Sequence, residues 1–238
     1  ELTSGTYAAQ GLGITSVGSD IYVCGYENNA SGKMVAKYWK NGVPTSLSSG
    51  VNNAQAWKIV YANGNVYVAG TAHNGSLNVA TLWINGVQHN LSSTTVSTEI
   101  NDAGGYGLFV NGTDVYVSGF EGNNGFHSFC YWKNGTKTQY GTAPYESGEA
   151  LRIFFDSGNL YVSGQQYYSS GMPTKARYYK NGSAVSLTDG TKYAGCSGLA
   201  INGGTVYAIG IELDPSDKIV FWTGALREEI TSGSYTSM

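Results

Sequence analysis

The chain has 238 residues, 41% of them apolar, 13% aromatic and 12% charged, with a net charge of −3. No run of Lys or Arg offers the electrostatic footprint of a nucleic-acid-binding surface, and no stretch approaches the roughly 18 apolar residues of a membrane-spanning helix. The apolar share suffices for a packed core, while the sparse charge leaves Ser, Thr, Asn, Gly and Tyr to make the surface polar.

Taken in chain order, one unit is written five times. It opens on an apolar position, Ile14, Ile59, Leu108, Ile153 or Leu199, which marks a first, innermost strand. A tight turn follows, such as Asn63-Gly64-Asn65 or Asn111-Gly112-Thr113-Asp114. The second strand is a β-branched run closing on glycine, as in Ile21-Tyr22-Val23-Cys24-Gly25 and Val66-Tyr67-Val68-Ala69-Gly70, with the later copies closing on Gly119, Gly164 and Gly210. Variable loops at 26–34, 71–79, 120–128, 165–175 and 211–218 lead to a third strand ending on Tyr38-Trp39, Leu82-Trp83, Tyr131-Trp132, Tyr178-Tyr179 or Phe221-Trp222. Asn41-Gly42, Asn85-Gly86, Asn134-Gly135, Asn181-Gly182 and a weaker Thr223-Gly224 then supply hairpin turns. A fourth strand closes on Leu47, Leu91, Tyr140, Leu187 and Ile230.

The glycines that end the second strands recur every 45 to 49 residues. A fixed period of this length, holding only strand and turn signals, predicts an all-β, five-bladed β-propeller with four antiparallel strands per blade. Residues 1–238 then form a single domain with repeats near 11–55, 56–105, 106–150, 151–196 and 197–238. Each unit supplies its four strands in order, so none need be borrowed. Glu1-Leu2-Thr3-Ser4-Gly5-Thr6-Tyr7 echoes Glu229-Ile230-Thr231-Ser232-Gly233-Ser234-Tyr235, which leaves closure through the terminal segments, or six blades of a longer protein, as alternatives. No basic, apolar, small-residue leader opens the chain. Because it opens inside the repeat, a trimmed form that is secreted or held at the cell surface is expected. Cys24, Cys130 and Cys196 sit inside the repeat and are expected to be free core thiols.

The pairing of Val-Tyr-Val-Ala-Gly with Tyr-Trp-Lys-Asn-Gly resembles tandem repeats in secreted or surface-anchored bacterial β-propellers, most of which have no assigned function. In size and blade count the chain is also similar to tachylectin-type five-bladed lectins, a likeness of architecture alone, since no lectin motif matches. Variable loops carried on one rim of a rigid scaffold point to a non-enzymatic, lectin-like binding module whose partners are glycans or a surface protein. The expectation is a monomer with no cofactor, no metal and no nucleic-acid partner.

Candidate binding residues follow from the repeat. Two places after the closing glycine stand Glu27, Glu121 and Glu212, and the two remaining blades carry Lys58 and Arg152 near the inner strand. A mixed ring of carboxylates and cations at the channel mouth suits a polyhydroxyl ligand, because both kinds of group hydrogen-bond hydroxyls strongly. The alternative is a set of solvated charges or internal ion pairs. Trp57, Tyr106, Tyr145 and Tyr193 offer aromatic faces that stack on sugar rings, or equally on neighbouring blades. A glycoside hydrolase is the least favoured reading, and it would need two of the three glutamates to converge in one pocket.

Overall fold

A computed structural model describes residues 1–97, 102–123, 126–140, 146–168, 175–213, 217–224 and 226–231. Five first strands, Ala9–Val17 (β1), Ala54–Ala62 (β5), Asp102–Asn111 (β9), Glu146–Asp156 (β13) and Tyr193–Asn202 (β17), pack beside one another in chain order around the axis. Each is followed by a second strand: Asp20–Asn28 (β2), Asn65–His73 (β6), Asp114–Asn123 (β10), Asn159–Tyr168 (β14) and Thr205–Leu213 (β18). The third strands are Met34–Lys40 (β3), Asn78–Ile84 (β7), Phe126–Lys133 (β11), Lys175–Lys180 (β15) and Asp217–Thr223 (β19). Short outer strands complete the blades: Val43–Ser46 (β4), Val87–Asn90 (β8), Thr136–Gln139 (β12), Ser183–Ser186 (β16) and Leu226–Glu229 (β20). The result is a five-bladed β-propeller, each blade an antiparallel meander of four strands. Among the described residues no helix is long and apolar enough to cross a membrane.

The repeated Tyr-Trp-Lys-Asn-Gly phrase is explained residue by residue. Asn41, Asn85, Asn134 and Asn181 all take φ near 50°, and each following glycine takes φ between 83° and 88°. Two successive left-handed residues match the twist of a two-residue hairpin. Each asparagine also clamps its blade, because its Oδ1 accepts the N–H that opens the second strand, Ile21, Val66, Val115 or Leu160, at 2.8–2.9 Å. Its Nδ2 donates back to Asp20, Asn65, Asp114 or Asn159. The lysine beside it lies over the second-strand tyrosine, with Lys40, Lys133 and Lys180 at 5.4–5.5 Å from the rings of Tyr22, Tyr116 and Tyr161.

Lys40 and Lys133 reach acidic residues as well as the rings. Hydrogen bonds from Lys40 and Asn41 hold the Asp20 carboxyl below its ordinary range, and those from Lys133 and Asn134 do the same for Asp114. A carboxyl depressed in the folded state stabilises the fold above its unfolded value and loses that contribution as pH falls through the lower folded one. Asp114→Asn is therefore expected to flatten the acid limb of a stability profile below about pH 4, measured as unfolding midpoint against pH.

The tryptophans hold the blades together. Trp39, Trp83, Trp132 and Trp222 are almost wholly buried, and Tyr179 takes the same place in the fourth blade. Trp83 shares a core cluster with Tyr22, Cys24, Ala36 and Leu47 of the preceding blade, and Trp132 one with Tyr67, Ala69, Ala80 and Leu82. None of these four indole N–H groups has a hydrogen-bond partner, so each forgoes roughly 1–3 kcal/mol that its large apolar contact must outweigh. Trp83→Phe removes the orphaned donor together with part of the ring. It is expected to shift stability by less than about 1.5 kcal/mol, read from the denaturant midpoint.

Every first strand carries a β-bulge at the same height. The register slips between Gly11 and Gly13, Ala56 and Lys58, Gly105 and Gly107, Ala150 and Arg152, and Cys196 and Gly198. The extra residue leaves the ladder and is aimed at the axis. This bulge also explains the closing glycine of the second strand. A Cβ on Gly25, Gly70, Gly119, Gly164 or Gly210 would overlap the carbonyl oxygen of Gln10, Gln55, Gly104, Glu149 or Gly195, two places before the bulge residue.

Candidate functional site

The five bulge residues are Leu12, Trp57, Tyr106, Leu151 and Ser197, one from each blade. Together with Arg152 they line a cavity of about 450 Å³ on the axis. Trp57 and Tyr106 meet edge to face with centroids 5.5 Å apart, forming an aromatic wall. The wall continues outward: Tyr106 lies 5.8 Å from Phe120, and Phe120 stacks on the His127 ring at 4.0 Å.

His127 is the centre of a cluster that the repeat does not foreshadow. Its Nδ1 lies 3.1 Å from Glu149 Oε1, and its Nε2 lies 3.7 Å from Asp102 Oδ2. Asp102 and His127 come from one blade, on the strands either side of Gly122, which pairs with both. Glu149 comes from the inner strand of the next blade, two residues before the bulge residue Leu151. Asn78 of the preceding blade fixes the other face of Asp102, its Nδ2 donating to Oδ1 at 2.9 Å. All three side chains of the cluster are only a fifth to a third exposed. Among the described residues no group of three or more His, Cys, Asp or Glu could hold a metal ion.

The residues singled out from the repeat lie elsewhere. Second and third strands run on through most of the segments expected as loops, so Glu27, Glu121 and Glu212 are strand residues. Their recorded ion-pair partners are residues other than Lys58 and Arg152. Glu27 pairs with Lys37 at 2.5 Å, Glu121 with Lys137, and Glu212 with Arg227 at 2.5 Å, each within its own blade. Glu121 also accepts the Ser93 N–H at 2.9 Å, tying down the linker from the preceding blade. These are the internal ion pairs allowed for as the alternative. Trp57, Tyr106 and Arg152 do meet, in the axial cavity rather than on a loop rim. Lys58 stands one residue past Trp57, near the Cys24 thiol. Tyr193 opens the inner strand of the fifth blade and is exposed. Tyr145 lies outside the described residues. The three cysteines are free and buried, and burial pushes the Cys24 thiol up to about 12 and the Cys196 thiol up to about 11.

No family model and no curated protein matches the sequence. Solved structures do match the fold. A Mycobacterium tuberculosis puromycin-hydrolysing peptidase superposes with a TM-score of 0.61 at 13% identity, over 94% of this chain and 39% of its own. The chain thus spans well under half of that peptidase. A thermostable family-43 glycoside hydrolase superposes with a TM-score of 0.50 at 10% identity, over 98% of this chain and 96% of its own. An arabinanase from Bacillus subtilis follows at 0.43 and 16%, over 91% and 96%. At such identities the likeness is one of fold.

These comparisons correct the functional expectation. The architecture was expected to serve a non-enzymatic, lectin-like module, yet a protein that shares it end to end is a glycoside hydrolase. The structure adds a physical reason. The glutamates expected to bind sugar form ion pairs within their own blades, while two other carboxylates, Asp102 and Glu149, meet at His127.

Proposed function

We propose that this protein hydrolyses glycosidic bonds, with Glu149 and Asp102 as its carboxylate pair and the axial cavity as the floor that receives the sugar. The observation that carries the reading is the convergence of two carboxylates, from different blades, on the two nitrogens of one imidazole. Glycoside hydrolysis needs one carboxyl to protonate the leaving oxygen and a second to activate water or attack the sugar. An imidazole hydrogen-bonded to Glu149 at 3.1 Å can orient that carboxyl and exchange a proton with it, while Asp102 stands 3.7 Å from the other ring nitrogen as the second carboxylate. Glu149 is the better placed acid, because it lies on the strand that also delivers Leu151 and Arg152 to the cavity. Trp57 and Tyr106 offer apolar faces for a sugar ring, and Arg152 a hydrogen-bond donor for its edge.

The end-to-end match to a family-43 glycoside hydrolase supports the same chemistry, whereas the peptidase is matched only over a minor part of its length. In this reading the protein works outside the cell, where polymeric glycans are met. The test is a screen of nitrophenyl pentosides and hexosides and of plant and bacterial polysaccharides, with released sugars followed by chromatography. Turnover of at least one glycoside is expected. A protein inert on the whole panel after prolonged incubation would overturn the proposal.

A further inference from the structure

Arg152 is the one charged side chain in the lining of the axial cavity. Its Nη1 donates to the Leu151 carbonyl at 2.9 Å, and among the described residues it makes no ion pair. A guanidinium carries five N–H donors in a rigid fork, so most of them remain for a ligand. Glu149 on the same strand does not pair with it, because Glu149 and Asp102 meet His127 instead. Lys58 holds the matching place in the second blade, each cation being the first residue to rejoin the ladder after the bulge. It too makes no ion pair among the described residues. The other three blades carry Gly13, Gly107 and Gly198 there, and neither this row nor the row of bulge residues holds an acid. The glycines fix the mounting of the cations. A Cβ on Gly13 would stand 3.2 Å from the Lys58 Cα, and one on Gly107 3.1 Å from the Arg152 Cα, so each cation rises from backbone pressed against the preceding blade.

We propose that the axial cavity selects a sugar ring bearing a carboxylate, a uronic acid unit of an acidic glycan, with Arg152 as the group that pairs with it. This rests on the hydrolase reading of the same site and names its substrate class. Any ring that fills the cavity displaces water from the guanidinium, and the walls that replace the water are largely apolar, at Leu12, Trp57, Tyr106 and Leu151. A neutral ring leaves that charge uncompensated, which is costly in such surroundings. A carboxylate returns an opposite charge and two parallel hydrogen bonds that match the fork. Apolar walls also focus the field of Arg152 and Lys58 into the cavity, which raises the local concentration of anions. Trp57 and Tyr106 take the C–H face of an acidic and a neutral sugar alike, so discrimination between the two falls on Arg152.

The test is isothermal titration of the Glu149→Gln protein, which leaves glycosides uncleaved, with methyl glucuronoside and methyl galacturonoside beside methyl glucoside and methyl galactoside. The acidic sugars are expected to bind at least about tenfold more tightly than their neutral partners. Adding Arg152→Gln, a change at an exposed side chain, is expected to abolish that preference and to leave the neutral sugars within about twofold. Arg152→Lys is expected to restore only part of it, because an ammonium keeps the charge and loses the fork. Equal affinity for acidic and neutral sugars, or a preference that survives Arg152→Gln, would overturn the proposal. Tighter binding of a sulfated hexoside than of the uronides would overturn it too, in favour of a site for sulfate esters. Turnover separates this inference from the reading it rests on. Neutral glycosides cleaved with no acidic preference in binding would sink the inference alone. Uronides held through Arg152 while no glycoside is cleaved would overturn the hydrolase reading and leave the acidic preference in place.

Discussion

Gly119→Ala is expected to destabilise the protein by more than about 4 kcal/mol, the range reached only by a few mechanisms such as severe strain in a packed core. The added methyl would overlap the carbonyl oxygen of Gly104, a backbone atom held by the bulge and by the neighbouring blade, so no side-chain rotation relieves the clash. Relief requires the bulge to be undone, which would shift the rest of β9 by one place and exchange its core and outer faces. Gly198→Ala is the matched control. Its methyl meets only the Cγ2 of Ile209, the end of an exposed side chain that can turn away. Its expected cost is about 1 kcal/mol or less. Thermal unfolding separates the two, with a fall of ~10 °C or more for the first and a few degrees for the second.

The second large effect is on turnover. Glu149→Gln keeps the shape and a hydrogen bond to His127 but removes the carboxyl proton, so kcat is expected to fall by ~10²–10⁴. Asp102→Asn is expected to act on the same scale, and the double variant to be little worse than either, because groups that act as one unit are not additive. Glu27→Gln, which disturbs only the ion pair to Lys37 in the first blade, is expected to leave kcat unchanged. Steady-state kinetics on the best glycoside from the screen read all four. An equal loss in the Glu27 variant would point to global damage.

Much of the architecture was legible because the same local chemistry is repeated. Asn-Gly at the third hairpin, the small-residue slot at Cys24, Ala69, Ser118 and Ser163, and the buried tryptophans each have a direct geometric counterpart. The bulge was not legible, because one extra residue in an apolar run leaves the hydrophobic pattern intact. Without it Trp57 and Tyr106 read as rim aromatics, whereas the bulge turns them onto the axis. Searching for recurrence also favoured Glu27, Glu121 and Glu212, whose regular placement reflects a structural ion pair made blade by blade.

The carboxylates of the proposed site were missed for the opposite reason. At the position of Glu149 the other blades carry Gln10, Gln55, Gly104 and Gly195, and at that of Asp102 the second blade carries Asn53. An acid that appears once in a five-fold pattern leaves no periodic trace. The usable signal was the departure from the repeat, because a site that binds one ligand on the axis needs different groups from different blades.

The most direct test of the hydrolase reading is a structure of the Glu149→Gln variant soaked with an uncleaved oligosaccharide from the screen. A sugar ring is expected against Trp57 and Tyr106, with its glycosidic oxygen within hydrogen-bond reach of residue 149 and Asp102 on the same side of the cavity. A sugar bound on the outer blades, or at the ion pairs of Glu27, Glu121 or Glu212, would contradict it.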